Sequence, residues 1–223
     1  AEGFDYLIVQ DADEFFRAED YAANLRQIEA NPDYAFYRTP WYQFWKTTGY
    51  VLRCRYSHCY QGGKAVVKLK NTLLGFSMAF ALNLHQDIRF EHCRRPTHVD
   101  DYLMLDGVCF HLSYVMSDAQ VERKIQTYGH TGRIRHALWL RRKWYGWRPQ
   151  SRCLHPLVPA IWTGAEPFRE ELPHELADLP APSQRGEALA FPERVRESLR
   201  DACDVVAHWV KRCKAALRAR SNG

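Results

Sequence analysis

The sequence lacks any apolar run approaching the roughly 20 residues that a membrane-spanning helix needs, which excludes a helical span of the bilayer. No signal-peptide pattern opens it, and a cytoplasmic location is the expectation. Its seven cysteines are odd in number and irregular in spacing, which argues against a disulfide framework and fits reduced thiols. Cys54 and Cys59 flanking His58 have no matching second half for a structural zinc site. Internal repeats and low-complexity tracts are also missing. Acids are absent from residues 131–149, which carry six Lys or Arg, while residues 193–220 hold eight basic residues against four acids. The net charge of +5 therefore sits in two discrete segments, a distribution suited to anionic partners and silent about fold.

What remains is a chain of 223 residues, 46% hydrophobic, long enough to bury a core as one domain with an appendage. Tyr6–Gln10 reads as a buried strand, short and apolar without alternation. "RAEDYAANLRQIEANP" places Tyr21, Leu25 and Ile28 at helical spacing and stops at Asn31 and Pro32. "YAFYRTPWYQFW" predicts extended chain broken by Pro40, and "KAVVKLK" a strand after the Gly62-Gly63 turn signal. Residues 107–115 predict a further strand, and Ser117 with Gln120 forms a capping box that starts a helix. Prolines crowd the stretch after residue 150, predicting an extended tail. From Pro192 onward Val195, Leu199, Ala202, Val206, Trp209, Cys213 and Leu217 recur at spacings of three and four, predicting an amphipathic helix with a basic outer face. The expected organisation is a domain over residues 1–180, a linker at 181–191 and a basic helix at 192–223.

Chemistry concentrates in "DYLIVQDADEFF", where an apolar strand runs straight into Asp11, Asp13 and Glu14. A turn after a strand lets two acids one residue apart converge on one cation, and carboxylate oxygens suit Mg2+ or Mn2+, whose open positions accept phosphate oxygens. Helix capping by the same acids is the plain alternative. The preceding strand favours the metal.

"DYLIVQDADEF" resembles the strand and D-x-D motif of glycosyltransferases of the GT-A fold. "LDGVCFHLSYVMSDAQVERKIQTYGH" is similar to the segment of related bacterial and N-acetylglucosaminyltransferase-like enzymes in which a strand histidine precedes a helix with a lysine. "LHPLVPAIWTGAEPFREELP" is like the ending of such enzymes, so the likeness covers about residues 5–180. The resemblance implies an α/β fold: a partial GT-A, Rossmann-like mixed sheet with flanking helices, a Pro-rich extended tail and a C-terminal amphipathic helix. It implies metal-dependent transfer of a sugar from a nucleotide-sugar donor to a glycan or lipid-linked acceptor. Carried over, Asp13 is the principal metal carboxylate, Asp11 touches metal or donor, His111 is a third ligand to Mn2+ or Mg2+, and Lys124 faces the diphosphate. An inverting reaction also needs a carboxylate base, for which Glu91, Asp101 and Asp106 are the candidates. The nucleotide-binding βα units that such enzymes place ahead of the motif, each of roughly 30 residues, do not precede Tyr6. The expectation is a fragment that begins partway into a longer protein, binds donor poorly and exposes a sheet edge.

"RIRHALWLRRKWYGWR" interleaves arginines with Trp139, Trp144 and Trp147. Three readings compete: a core helix with solvated arginines, peripheral contact with an anionic membrane, and a basic nucleic-acid-binding module without catalysis. The first is favoured, membrane contact is the economical functional reading, and no nucleic acid is expected. A phosphatase of the D-x-D type is disfavoured because Phe15 stands where a hydroxyl residue is required.

Overall fold

A computed structural model describes residues 3–54, 58–61, 64–68, 77–85, 102–127, 136–156, 159, 162–186 and 189–221. In chain order the elements are β1 (Tyr6–Ile8), β2 (Glu14–Phe15), α1 (Ala18–Glu29), β3 (Phe36–Trp45), β4 (Thr47–Cys54), β5 (His58–Gln61), β6 (Lys64–Lys68), β7 (Ser77–Asn83), β8 (Tyr102–Met104), β9 (Cys109–Tyr114), α2 (Asp118–Thr127), α3 (His136–Trp139), a π-helical turn (Leu140–Tyr145), β10 (Trp162–Pro167), α4 (His174–Ala177) and α5 (Phe191–Ser221). The fold is mixed α/β, with strands that pair mostly antiparallel. It divides into two units, one of Ala1–Gln43, Tyr56–Ser113 and Glu170–Leu179, the other of Phe44–Arg55, Tyr114–Arg169 and Pro180–Gly223. Glu91, Asp101, His130 and the side chains of Cys54, His58 and Cys59 lie outside the described residues.

In the first unit β1 pairs antiparallel with β7, β7 with β3, and β3 parallel with β8. Alternation along β3 sends Tyr37 to the face covered by α1, where it joins Ile28, Phe80, Ala81 and Leu105, and sends Phe36 to the other face with Leu82 and Tyr102. Phe80 and Ala81 share one face because the register slips between Tyr37 and Arg38, opposing one residue with two. The extra residue, Phe80, then meets Phe16 and Tyr21 edge to face at 5.3 and 5.4 Å. Two expectations are corrected here. β1 is half-exposed rather than buried: Leu7 is 50% exposed while Tyr6 and Ile8 pack inward, since only β7 pairs with it among the described residues. β3 runs through Pro40, which stands opposite Ser77 at the last described pair of its ladder with β7.

Helix α1 forms where its spacing predicts, yet Asn24 is buried and Leu25 is 37% exposed. The amide explains it. Asn24 Oδ1 accepts the Gly107 N–H at 2.9 Å, and a Cβ on Gly107 would stand 2.6 Å from both that oxygen and the Asp20 carbonyl. Only glycine lets the chain entering β9 come this close to α1.

In the second unit β4 pairs antiparallel with β10 and with the end of β3. The strand β10 is an element that proline density argued against; its proline, Pro167, stands at the strand's last position. The β3–β4 link is Lys46, which adopts the left-handed φ of 64° and lies buried with its ammonium 4.2 Å from the Trp144 ring centre. Burial draws its pKa down to about 8, against the pull of Asp118. Gln184, within the stretch read as a linker, donates to the Lys46 and Met116 carbonyls at 2.8 and 2.7 Å. Ser117 caps α2 as its box predicts, with Gln120 Oε1 accepting the Ser117 N–H at 2.8 Å.

Trp139 and Trp144 are buried against Trp45 and Tyr114, so these tryptophans form core and are not free to stack on bases or to enter a membrane interface. The face by which α5 docks is likewise corrected. Glu197 and Asp201 turn inward, while Leu199 and Trp209 are 63% and 64% exposed. The reason is Lys143, a buried ammonium whose three donors meet the Arg152 carbonyl at 2.8 Å, Asp201 at 2.6 Å and Glu197 at 2.7 Å.

Two measurements check these packing arguments. Gly107→Ala should lower stability by about 1–3 kcal/mol in urea unfolding, because neither the Asp20 carbonyl nor Asn24 can retreat from the added methyl. His155, stacked on Trp162, is pushed down to about 3, first by burial and then by Lys124. A depressed imidazole leaves the folded state short of a proton that the unfolded chain takes up below 6.5. Stability should therefore fall by up to about 1.4 kcal/mol per pH unit below that value, a component that His155→Phe removes in pH-dependent unfolding curves.

Candidate metal-binding site

The acidic cluster occupies a tight turn between β1 and β2. The Glu14 N–H donates to the Asp11 carbonyl at 3.1 Å, and the Asp11 N–H donates back to Glu14 Oε2 at 2.9 Å. Gln10 Nε2 adds a bond to the Glu14 carbonyl at 2.9 Å. The side chain of Glu14 thus closes the turn from inside, and the motif's third acid is structural glue as well as charge.

From that turn the chain enters β2, which pairs antiparallel with β9 in the register Glu14–His111 and Phe15–Phe110. The Leu112 N–H donates to the Asp13 carbonyl at 2.8 Å, extending the pairing one residue toward the turn. This ladder brings Asp13 Oδ1 to 3.5 Å from His111 Nε2, too long for a good hydrogen bond and close enough for a weak ion pair. Two metal–ligand bonds of about 2.1 Å meeting at roughly 110° span the same distance, so the pair fits as two donors to one divalent cation.

The imidazole is held from behind. Trp41 stacks on it with centroids 4.8 Å apart and planes 24° from parallel. His111 Nδ1 is buried without a hydrogen-bond partner among the described residues, so Nε2 is the nitrogen directed at Asp13. Burial holds the Glu14 carboxyl above its ordinary range; the Asp11 N–H and His111 pull it down, and Asp11 and Asp13 push it up. Cys109, two residues before His111 on the same strand, is a buried free thiol that burial, aided by the Glu14 charge, pushes far above its ordinary value. Burial thus disfavours the thiolate form that a ligand or a nucleophile requires.

Asp11 is exposed, and among the described residues no group of three or more His, Cys, Asp and Glu is disposed to hold a metal ion. Asp106 lies in the turn before β9, where its carboxylate accepts from Gln27 Nε2 at 2.6 Å and its N–H donates to Gln27 Oε1 at 3.0 Å. Lys124 belongs to the second unit, with its ammonium 5.2 Å from the Tyr114 ring centre. Trp41 and Cys109 are site residues that sequence reasoning does not find, since their place beside His111 and Glu14 arises from strand pairing. Glu14 carried a faint signal, an acid set directly against Phe15 and Phe16.

Comparison with protein-family models, curated proteins and solved structures finds no match to this chain.

The electrostatics of Glu14 carry a direct test. Because its folded carboxyl titrates above its unfolded value, the stabilisation from holding a proton is present below the unfolded value and is lost as pH rises through the folded one. Glu14→Gln keeps an oxygen to accept the Asp11 N–H without a buried charge. It should equal or exceed the wild type in stability at pH 7 and lose that advantage at pH 4, as read from urea midpoints.

Proposed function

We propose that the first unit carries part of the catalytic site of a divalent-metal-dependent glycosyltransferase of GT-A type, acting on a nucleotide-sugar donor and a glycan or lipid-linked acceptor. The observation that supports this reading is the approach of Asp13 to His111 at the end of a D-x-D turn. In it, Asp13 Oδ1 and His111 Nε2 would hold Mn2+ or Mg2+, with Asp11 completing the set or contacting the donor. An oxygen and an imidazole nitrogen together favour Mn2+ over Mg2+, which prefers oxygen alone.

Bound metal supplies Lewis-acid stabilisation of the charge that develops on a departing nucleoside diphosphate. The chain's own groups do the rest. Trp41 fixes the plane of the imidazole, so the ring does not have to be ordered when ligand arrives. Glu14 locks the turn and presents Asp13 on the side of β9. Asp106 is the described candidate for the base, and taking an acceptor proton would require its carboxylate to leave Gln27; Glu91 and Asp101 stand as the other two candidates. Lys124 is the proposed cation for the diphosphate. The nucleic-acid reading loses support from the burial of Trp139 and Trp144, two of the three tryptophans on which it would stack bases.

Calorimetric titration of Mn2+ into the protein with UDP present tests the reading. Metal-dependent binding should weaken at least tenfold in Asp13→Asn and in His111→Ala; binding unchanged in both would end the assignment.

A further inference from the structure

The second unit forms a pocket, open on one side to solvent, of about 520 Å3, a volume suited to a small organic ligand. Its walls come from the π-helical turn, the loop after it and the first turns of α5. The lining is strongly cationic. Lys143, Arg142, Arg148, Arg152 and Arg194 face it, against Glu197 and Asp201 alone among the acids of the described residues. Both acids are already engaged: Glu197 Oε2 stands 3.0 Å from Arg142 and Oε1 2.7 Å from Lys143, while Asp201 Oδ1 stands 2.6 Å from Lys143. Among the described residues both lining carboxylates thus balance Arg142 and Lys143, and the charges of Arg148, Arg152 and Arg194 are in excess.

Local structure fixes the backbone that carries Arg148 and Arg152. Arg148 and Ser151 close a turn, the Ser151 N–H donating to the Arg148 carbonyl at 2.8 Å and Ser151 Oγ accepting the Arg148 N–H at 3.0 Å. Arg152 gives its carbonyl to the buried Lys143. The next residue, Cys153, is buried with a left-handed φ of 54°, a conformation that costs a non-glycine residue energy and persists only where its surroundings enforce it. The π-helical turn supplies the opposite wall, ending in a Gly146 N–H bond to the Arg141 carbonyl at 3.0 Å. A Cβ on Gly146 would stand 2.9 Å from Leu189, so glycine is what lets that apolar side chain form part of the wall.

We propose that this cavity binds a diphosphate-bearing small molecule. Arginine forks match phosphate oxygens two at a time, and three of them balance the charge of a diphosphate better than that of a single carboxylate. Leu189, Ala202 and Val205 give the organic part of such a ligand an apolar surface. The site is independent of the metal reading of the first unit and uses none of its residues.

The test is calorimetric titration of pyrophosphate into the full chain with EDTA present, which removes metal-mediated binding at Asp13. Saturable binding should appear, weaken at least tenfold in the Arg152→Gln/Arg194→Gln double variant, and stay unchanged in Asp13→Asn. Arg152 and Arg194 are exposed, so the double variant should melt at the wild-type temperature in the absence of pyrophosphate. No saturable heat, or equal affinity in wild type and double variant, would overturn the proposal. An Mn2+–UDP signal that survives in the double variant but fails in Asp13→Asn separates this cavity from the metal site.

Discussion

Two residue pairs between β2 and β9 hold the candidate site together. Strand pairing has a period of two, so a slip of one residue would carry the imidazole of His111 to the opposite face and away from Asp13. A ladder this short cannot set its own register. The contacts beside it do: Arg17 lies over the Phe110 ring at 4.8 Å, Trp41 lies against the imidazole, and Gly107 is fitted against Asn24 just before β9 begins. Helix α1 thereby governs the candidate site from outside it. Its buried amide fixes where β9 starts, and the start of β9 fixes which side chain opposes Glu14.

The second unit is organised by a different constraint. A helix with a regular apolar stripe would ordinarily bury it, each large side chain gaining about 1.5–3 kcal/mol. Here the opposite face docks, because the buried ammonium of Lys143 takes two of its acceptors from α5 and losing the acceptors of a buried ion costs about 3–5 kcal/mol. Arg142 adds a further contact to Glu197. The charged face docks and the stripe turns outward as a geometric consequence, because the acids and the apolar residues lie on opposite sides of one helix.

How much was legible depends on the range of each signal. The capping box of Ser117 and Gln120, the strand carrying His111, the strand after Gly63 and the helix beginning near residue 192 were readable because their causes lie within a few residues. The burial of Asn24, the outward turn of Leu199 and the half-exposure of β1 were not, since each is decided by a distant partner: Gly107, Lys143 and β7. Of the site, the acids and the histidine stood out in the sequence, and their closeness was expected through resemblance alone. No spacing announces that Trp41 lies under an imidazole, because β3 and β9 are brought together by folding. The antiparallel pairing of β1 was equally illegible, for a short apolar run carries no mark of the direction of its neighbour.

The π-helical turn at Leu140–Tyr145 makes chain length itself a constraint. Such a turn accommodates one residue more than a regular helical turn, and its wider ring is closed by Gly146. Ordinary helical geometry imposed on the same number of residues would turn the chain beyond the extra residue by about 100° about the axis. The ammonium that anchors α5 would swing away from its acceptors, so in this segment the more regular helix belongs to the less well assembled protein.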